Sequence, residues 1–184
     1  MHIAITDYVL EVVQNAFEAN STETRVVLQE TAEAFAVTVT DNGKGMSEEV
    51  MKRVLDPFST EEGKHPHRKV GLGLSFLNQA TELAGGELAG GELPLRSEVG
   101  VGTTVRFTFD PASIDTPPLG DVVSTFMTLL AHPKAGSLVI ERKTETDGYA
   151  LDRKELIGVL GDLEMSGNLH LLKEYIASQE AALS

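Results

Sequence analysis

The segment Thr40-Asp41-Asn42-Gly43-Lys44-Gly45-Met46-Ser47-Glu48-Glu49-Val50 limits the possible folds of this chain more than any other. An Asn-Gly pair directly after alternating apolar residues, here 34–41, ordinarily closes a hairpin. The residues after it do not read as a second strand. Ser47 is a fitting N-cap, Glu48 and Glu49 suit the positive end of a helix dipole, and 48–55 reads as a helix. A strand that ends in Asp41 and turns into a helix leaves a carboxylate at its tip, able to accept from an exocyclic amine. Gly43 and Gly45 would let backbone approach a flat ring with no Cβ in the way. The ordinary alternative is a turn in which Asp41 caps local backbone groups.

Around this segment the periodicities predict a mixed α/β order. Val9, Leu10, Val12, Val13, Ala16 and Phe17 follow helical spacing over 6–19, and β-branched residues over 25–31 and 34–41 predict paired strands. Residues 56–70 hold two prolines, a glycine and a basic cluster, and read as a mobile loop. In 71–86 a glycine-rich turn enters a helix with Leu74, Phe76, Leu77, Ala80, Leu83 and Ala84 on or near one face, closed by Gly85. The stretch 82–93 repeats a five-residue unit, a local duplication that lengthens the link to strands at 92–98 and 102–110. Three prolines within 110–121 mark the best boundary. The expected division is 1–110, a linker 111–118, and a C-terminal α/β extension 119–184 with a helix, a hairpin around Asp147-Gly148 and two further helices.

Composition narrows function. At 184 residues and 41% hydrophobic content, the chain suffices for one core and a smaller appendage. The absence of cysteine excludes disulfides, thiolate metal sites and cysteine nucleophiles, and the lack of a leader or membrane-length apolar run predicts a soluble, cytoplasmic protein. A formal charge of −13 argues against nucleic-acid or membrane partners, so an anionic ligand would need a local device to draw it in.

Three further segments supply parts of such a device. Glu11 and Asn15, four apart on a helix, share a face and set a carboxylate beside an amide oxygen, although a solvated polar stripe has the same spacing. Gly71-Leu72-Gly73-Leu74 at a helix start would offer backbone N–H groups to an anion, or simply pack tightly against a sheet. Thr103, opening the last strand of this part, could donate to a ring nitrogen, or be an ordinary strand residue.

In combination and order these segments resemble the GHKL ATPases, the group with the Bergerat fold that includes gyrase, a heat-shock chaperone ATPase, mismatch-repair proteins and sensor histidine kinases. Residues 11–19 resemble their N box, 41–46 the first glycine box, 56–60 the phenylalanine box of the kinases, 71–75 the second glycine box and 100–109 the last. The resemblance implies a two-layer α/β sandwich whose mixed, mainly antiparallel sheet is covered on one face by helices. It also implies ATP and Mg²⁺ as cofactors. Asn15 would coordinate the metal, Asp41 would receive the adenine amino group with help from Thr103, and Gly43, Lys44 and Gly45 would lie along the base and ribose. Gly71, Leu72, Gly73 and Leu74 would hold phosphates beneath a lid carrying Lys64, Arg68 and Lys69, and Glu11 would be the general base for water. Glu18 sits a turn further along the same face and reads as a solvated acid before one that tunes the metal site, while His65 and His67 belong to lid electrostatics before metal binding.

The N box begins about ten residues from Met1, so no phosphoacceptor hairpin is expected ahead of it. The extension resembles that of small stand-alone ATPases encoded near hydrogenase genes. The resulting expectation is a slow Mg²⁺-dependent ATPase whose extension engages a partner protein or completes the sheet, with a homodimer allowed. Two rivals use the same pocket: a serine kinase of the anti-sigma-factor type, and a nucleotide-gated interaction module without significant turnover.

Overall fold

The computed structural model of the protein describes residues 3–55, 70–88 and 96–184, with backbone alone for 70–73. The expected lid, with Lys64, His65, His67, Arg68 and Lys69, the phenylalanine box, and the later part of the duplication lie outside the described residues. The elements run α1 (Ile5–Glu18), β1 (Glu23–Glu30), β2 (Phe35–Asp41), α2 (Glu48–Leu55), α3 (Val70–Leu83), β3 (Arg96–Glu98) and β4 (Gly102–Phe109). They continue with α4 (Val122–Leu130), β5 (Ser137–Lys143), β6 (Gly148–Asp152), α5 (Arg153–Leu160) and α6 (Ser166–Ala181). Ser47 Oγ accepts from Val50 N at 3.3 Å, which starts α2 where a second hairpin strand would otherwise run.

The strands form one six-stranded sheet in the order β3-β4-β2-β1-β5-β6. All neighbours are antiparallel except β1 and β5. The side-chain period of two sends alternate residues to one face. On that face Ile140, Val26, Val39 and Val105 form one row across four strands, and Leu28, Val37 and Phe107 form the next. All seven are buried, while Arg25, Thr40 and Arg106 on the other face are exposed. Among the described residues helices therefore cover one side, with α1 on β1 and β2, α3 on β4, and α5 on β5 and β6.

The C-terminal segment is joined to this layer at several points. The N-terminal N–H groups of a helix lack intrahelical acceptors. In α1 those of Ile5 and Thr6 donate to the carbonyls of Pro118 (2.8 Å) and Leu119 (3.0 Å). Further along, the His132 ring lies 4.8 Å from that of Phe17 in α1. Burial, then Lys134, hold His132 below its ordinary range, Glu18 pulling the other way, so the ring meets Phe17 uncharged near neutrality. At the far end, Arg142 of β5 is only 3% exposed; it bonds Glu30 of β1 at 2.6 Å and Glu180 of α6 at 3.1 Å. Tyr149 of β6 adds a 2.6 Å bond to the same Glu180.

Gly102 fixes how β4 meets the end of β2. Its φ is +143°, and a Cβ there would stand 2.0 Å from the carbonyl oxygen of Asp41. A Gly102→Ala variant is expected to lose about 3 kcal/mol of stability, from backbone strain plus a clash with unyielding backbone. Urea denaturation measures it, and an unchanged midpoint would show that the junction yields.

Candidate nucleotide site

The register that builds the core also builds the site. One row beyond Val39 and Val105, on the same helix-covered face, stand Thr24, Asp41, Thr103 and Ser97 in successive strands. The hydrophobic rows thus end in a polar row. Over it, Val12, Asn15, Ala16 and Ala19 present one face of α1, spaced three and four apart. Met46, with Val50 and Val54 of α2 and Leu74 of α3, forms the opposite wall. The cavity, partly open to solvent, is ≈ 350 Å³, within the common range for small-molecule sites. Glu18, Lys44 and Gly45 complete its rim, with Asp41, Thr103 and Val105 as its floor.

Asn15, Asp41, Lys44, Gly45, Leu74 and Thr103, drawn from four separate segments, thus share this cavity. Gly71, Leu72 and Gly73 fall within the first turn of α3, because the helix already starts at Val70. Glu11 stands one turn before Asn15 on α1 and is not among the residues lining the cavity; its charge helps raise the pKa of Tyr8, after the larger effect of burial.

Gly43 has a packing role. It is buried, and a Cβ on it would come within 2.8 Å of the Ala19 carbonyl oxygen at the end of α1. Gly45 has φ +71°, and its Cβ would meet the Glu98 carbonyl at 2.0 Å. Between them and β2, Asn42 Oδ1 accepts from the backbone N–H groups of Thr22 and Glu23, both at 2.9 Å, and from Ser21 Oγ at 3.1 Å. This clamp turns the chain toward α2 and explains why the Asn-Gly pair makes no hairpin.

Asp41 is half-buried at the cavity floor. Burial raises its pKa above the ordinary 3.8, while backbone N–H groups of Gly43, 2.8 Å away, and Thr103 pull it down by less. An acid kept in a mostly apolar cavity with hydrogen-bonding capacity beyond its Gly43 contact suits a flat apolar ligand that carries a donor. Ser97 Oγ lies 2.7 Å from Thr103 Oγ1 and accepts from Met46 N at 2.7 Å, so β3 supports the floor from its edge. The motifs of the sequence do not single out Ser97. Counting the antiparallel register back from Thr103 through the Gly100 turn would have found it.

For a cation, Asn15 offers a neutral hard oxygen. Among the described residues no group of three acidic or histidine side chains forms a cage. Such a donor set suits Mg²⁺ shared with phosphates and water, its usual manner of binding.

Residues 2–113 match the family described as histidine kinase-, DNA gyrase B-, and HSP90-like ATPase, and the chain belongs to this family. Its relatives include the virulence sensor protein BvgS of Bordetella bronchiseptica, 39% identical over 119 residues that make up 57% of this chain and 9% of BvgS. A protein of Shewanella frigidimarina described as a sensor protein is 31% identical over 109 residues, 58% of this chain and 16% of that protein. The chain thus spans only a small part of either relative's length. Among solved structures, the N-terminal domain of a DNA repair protein superposes with a TM-score of 0.53 at 14% identity, covering 90% of this chain and 58% of that one, a likeness of fold. Among the described residues no helix is long and apolar enough to cross a membrane.

Proposed function

We propose that the cavity binds ATP with the adenine against the sheet floor, and that bound ATP is slowly hydrolysed in a cycle coupled to a partner protein. The observation that carries this reading is the half-buried Asp41 beside Thr103 in one row at the floor of an apolar cavity. The 6-amino group of adenine would donate to the Asp41 carboxylate, and N1 would accept from the Thr103 hydroxyl. The apolar walls of Val12, Ala16, Met46, Val50 and Val54 would take the ring faces and exclude water.

Toward the phosphates, Asn15 would hold Mg²⁺, which when bound neutralises phosphate charge. Lys44, Lys64, Arg68 and Lys69 would offset the chain's −13 locally, and the first turn of α3 would turn its free N–H groups toward the same anion. Glu11 would accept a proton from the attacking water. Residues 1–110 form the nucleotide-binding part in this proposal, 111–118 the link, and 119–184 the extension that meets the partner. That coupling is favoured by one observation: the end of the link and the start of the extension cap α1, the helix that carries Asn15, and His132 of the extension packs on it.

Asp41→Asn tests the base-reading role and has two arms with opposite signs. Binding of ATP is expected to weaken about tenfold, because a charged acceptor becomes a mixed donor and acceptor. Stability of the ligand-free protein is expected to rise. With its folded pKa above 3.8, Asp41 binds its proton more tightly in the native state, so the stability it contributes is full below that pH and is lost as pH rises through the folded value. At pH 7 the variant escapes that loss and should melt higher than the parent, with the gap closing in acid. Unchanged ATP affinity would remove Asp41 from base recognition.

A further inference from the structure

We propose that Ser97 is a positioning residue for nucleobase selectivity, setting the direction in which the Thr103 hydroxyl donates. The proposal rests on the reading of the cavity as an ATP site. Ser97 is not among the cavity-lining residues, so it acts through its neighbour. Its hydroxyl has three partners: Met46 N at 2.7 Å, Thr103 Oγ1 at 2.7 Å and the Gly102 carbonyl at 3.2 Å. A hydroxyl has one proton to give and two lone pairs. The Met46 N–H can only donate, so it takes one lone pair of Ser97.

Two arrangements remain for the protons. In one, Ser97 donates to Thr103, and the Thr103 proton is free to point into the cavity. In the other, Ser97 donates to Gly102 across the longer distance and Thr103 spends its proton on Ser97, presenting only lone pairs. The first arrangement sets a donor at Thr103 beside the acceptor at Asp41, which is the complement of the N1 and 6-amino pair of adenine. The second sets two acceptors side by side, which adenine cannot satisfy. An adenine ligand therefore selects the first at the cost of only the weaker, 3.2 Å bond. The Met46 contact matters too, because it holds Ser97 Oγ in place between Thr103 and the turn that leads to α2.

Without the Ser97 hydroxyl, the Thr103 proton is no longer directed and rotates toward any nearby acceptor. Inosine triphosphate is the matching probe, since its base differs from adenine at these two positions alone: N1 carries a proton and position 6 is a carbonyl. The experiment measures the affinities of ATP and ITP by titration calorimetry for the parent, Ser97→Ala, Ser97→Thr, Thr103→Val and the double variant Ser97→Ala/Thr103→Val. The ATP-over-ITP preference of the parent is expected to shrink five- to tenfold in Ser97→Ala, the scale of one directed hydrogen bond, and to persist in Ser97→Thr. It should shrink similarly in Thr103→Val and no further in the double variant, because both changes remove one device.

Equal weakening of ATP and ITP in Ser97→Ala would mark the residue as merely structural and overturn the proposal, as would additive losses in the double variant. Should Ser97→Ala fail to fold, Ser97→Cys keeps the volume with a weaker donor and carries the same comparison. A parent protein that binds neither nucleotide would contradict the ATP site itself, a distinct outcome from bound ATP with a preference indifferent to Ser97.

Discussion

A Glu11→Ala variant is expected to bind ATP within about twofold of the parent while releasing phosphate ~10²–10⁴-fold more slowly, the usual contribution of a positioned general base. Asn15→Ala should fail differently. Its ATP affinity should drop about 100-fold in the presence of Mg²⁺, since one contact to a charged group contributes up to about 3 kcal/mol, and far less in EDTA. The two residues stand one turn apart on α1, but only Asn15 lines the cavity. In the proposed reading Asn15 would bind the cation and Glu11 would act on the water. Turnover that survives in Glu11→Ala would exclude this residue as the base. A loss of ATP affinity equal in EDTA and Mg²⁺ would remove the cation from the role of Asn15. With γ-labelled ATP, label that moves to a serine of a partner in place of free phosphate would favour the kinase alternative.

The second large effect concerns stability. Arg142→Ala is expected to destabilise the protein by about 3 kcal/mol, because the partly exposed carboxylates of Glu30 and Glu180 lose the cation between them and the buried place of the side chain is left unfilled. For a chain of this size that corresponds to a fall of roughly 10 °C in melting temperature. Burial acts to lower the pKa of Arg142, but the bonds to Glu30 and Glu180 more than offset it and hold the group charged. Tyr149, pushed up by burial and then by Glu180, stays protonated and keeps donating to that carboxylate. The network ties β1 to β5, β6 and α6, so the loss should appear as one earlier cooperative transition seen equally by all probes. A separate early transition with an unmoved main one would show that the C-terminal segment melts independently of the rest.

Much of the site is legible in sequence because its groups sit in short motifs. Asp41, Gly45 and Thr103 announce themselves by the residues beside them, and Asn15 by its helical spacing from Glu11. The cavity walls are harder to read. Val50 and Val54 look like one apolar stripe of an amphipathic helix, yet both line the cavity, because α2 packs chiefly on α3. Gly43 reads in sequence as a glycine that admits a ring, whereas its lack of a Cβ admits the Ala19 carbonyl. Local chemistry reports that a position needs glycine, not which neighbour needs the space.

Long-range pairing explains most of the remainder. The parallel register of β5 on β1 joins residues more than a hundred positions apart, and nothing local in 137–143 points to 23–29. Arg142 likewise reads as one more charged residue in a hairpin until three other elements close around it. The capping of α1 by Pro118 and Leu119 is similarly invisible, since a proline-rich stretch reads as a spacer in sequence and becomes a helix cap only in the fold.

Titration calorimetry of the intact protein with Mg²⁺–ATP, with released phosphate assayed on the same sample, tests the central claim most directly. One saturable site per chain with a Kd on the order of 1–100 μM is the predicted result, with slow accumulation of phosphate. No heat of binding at millimolar nucleotide, from protein shown to be folded, would contradict it.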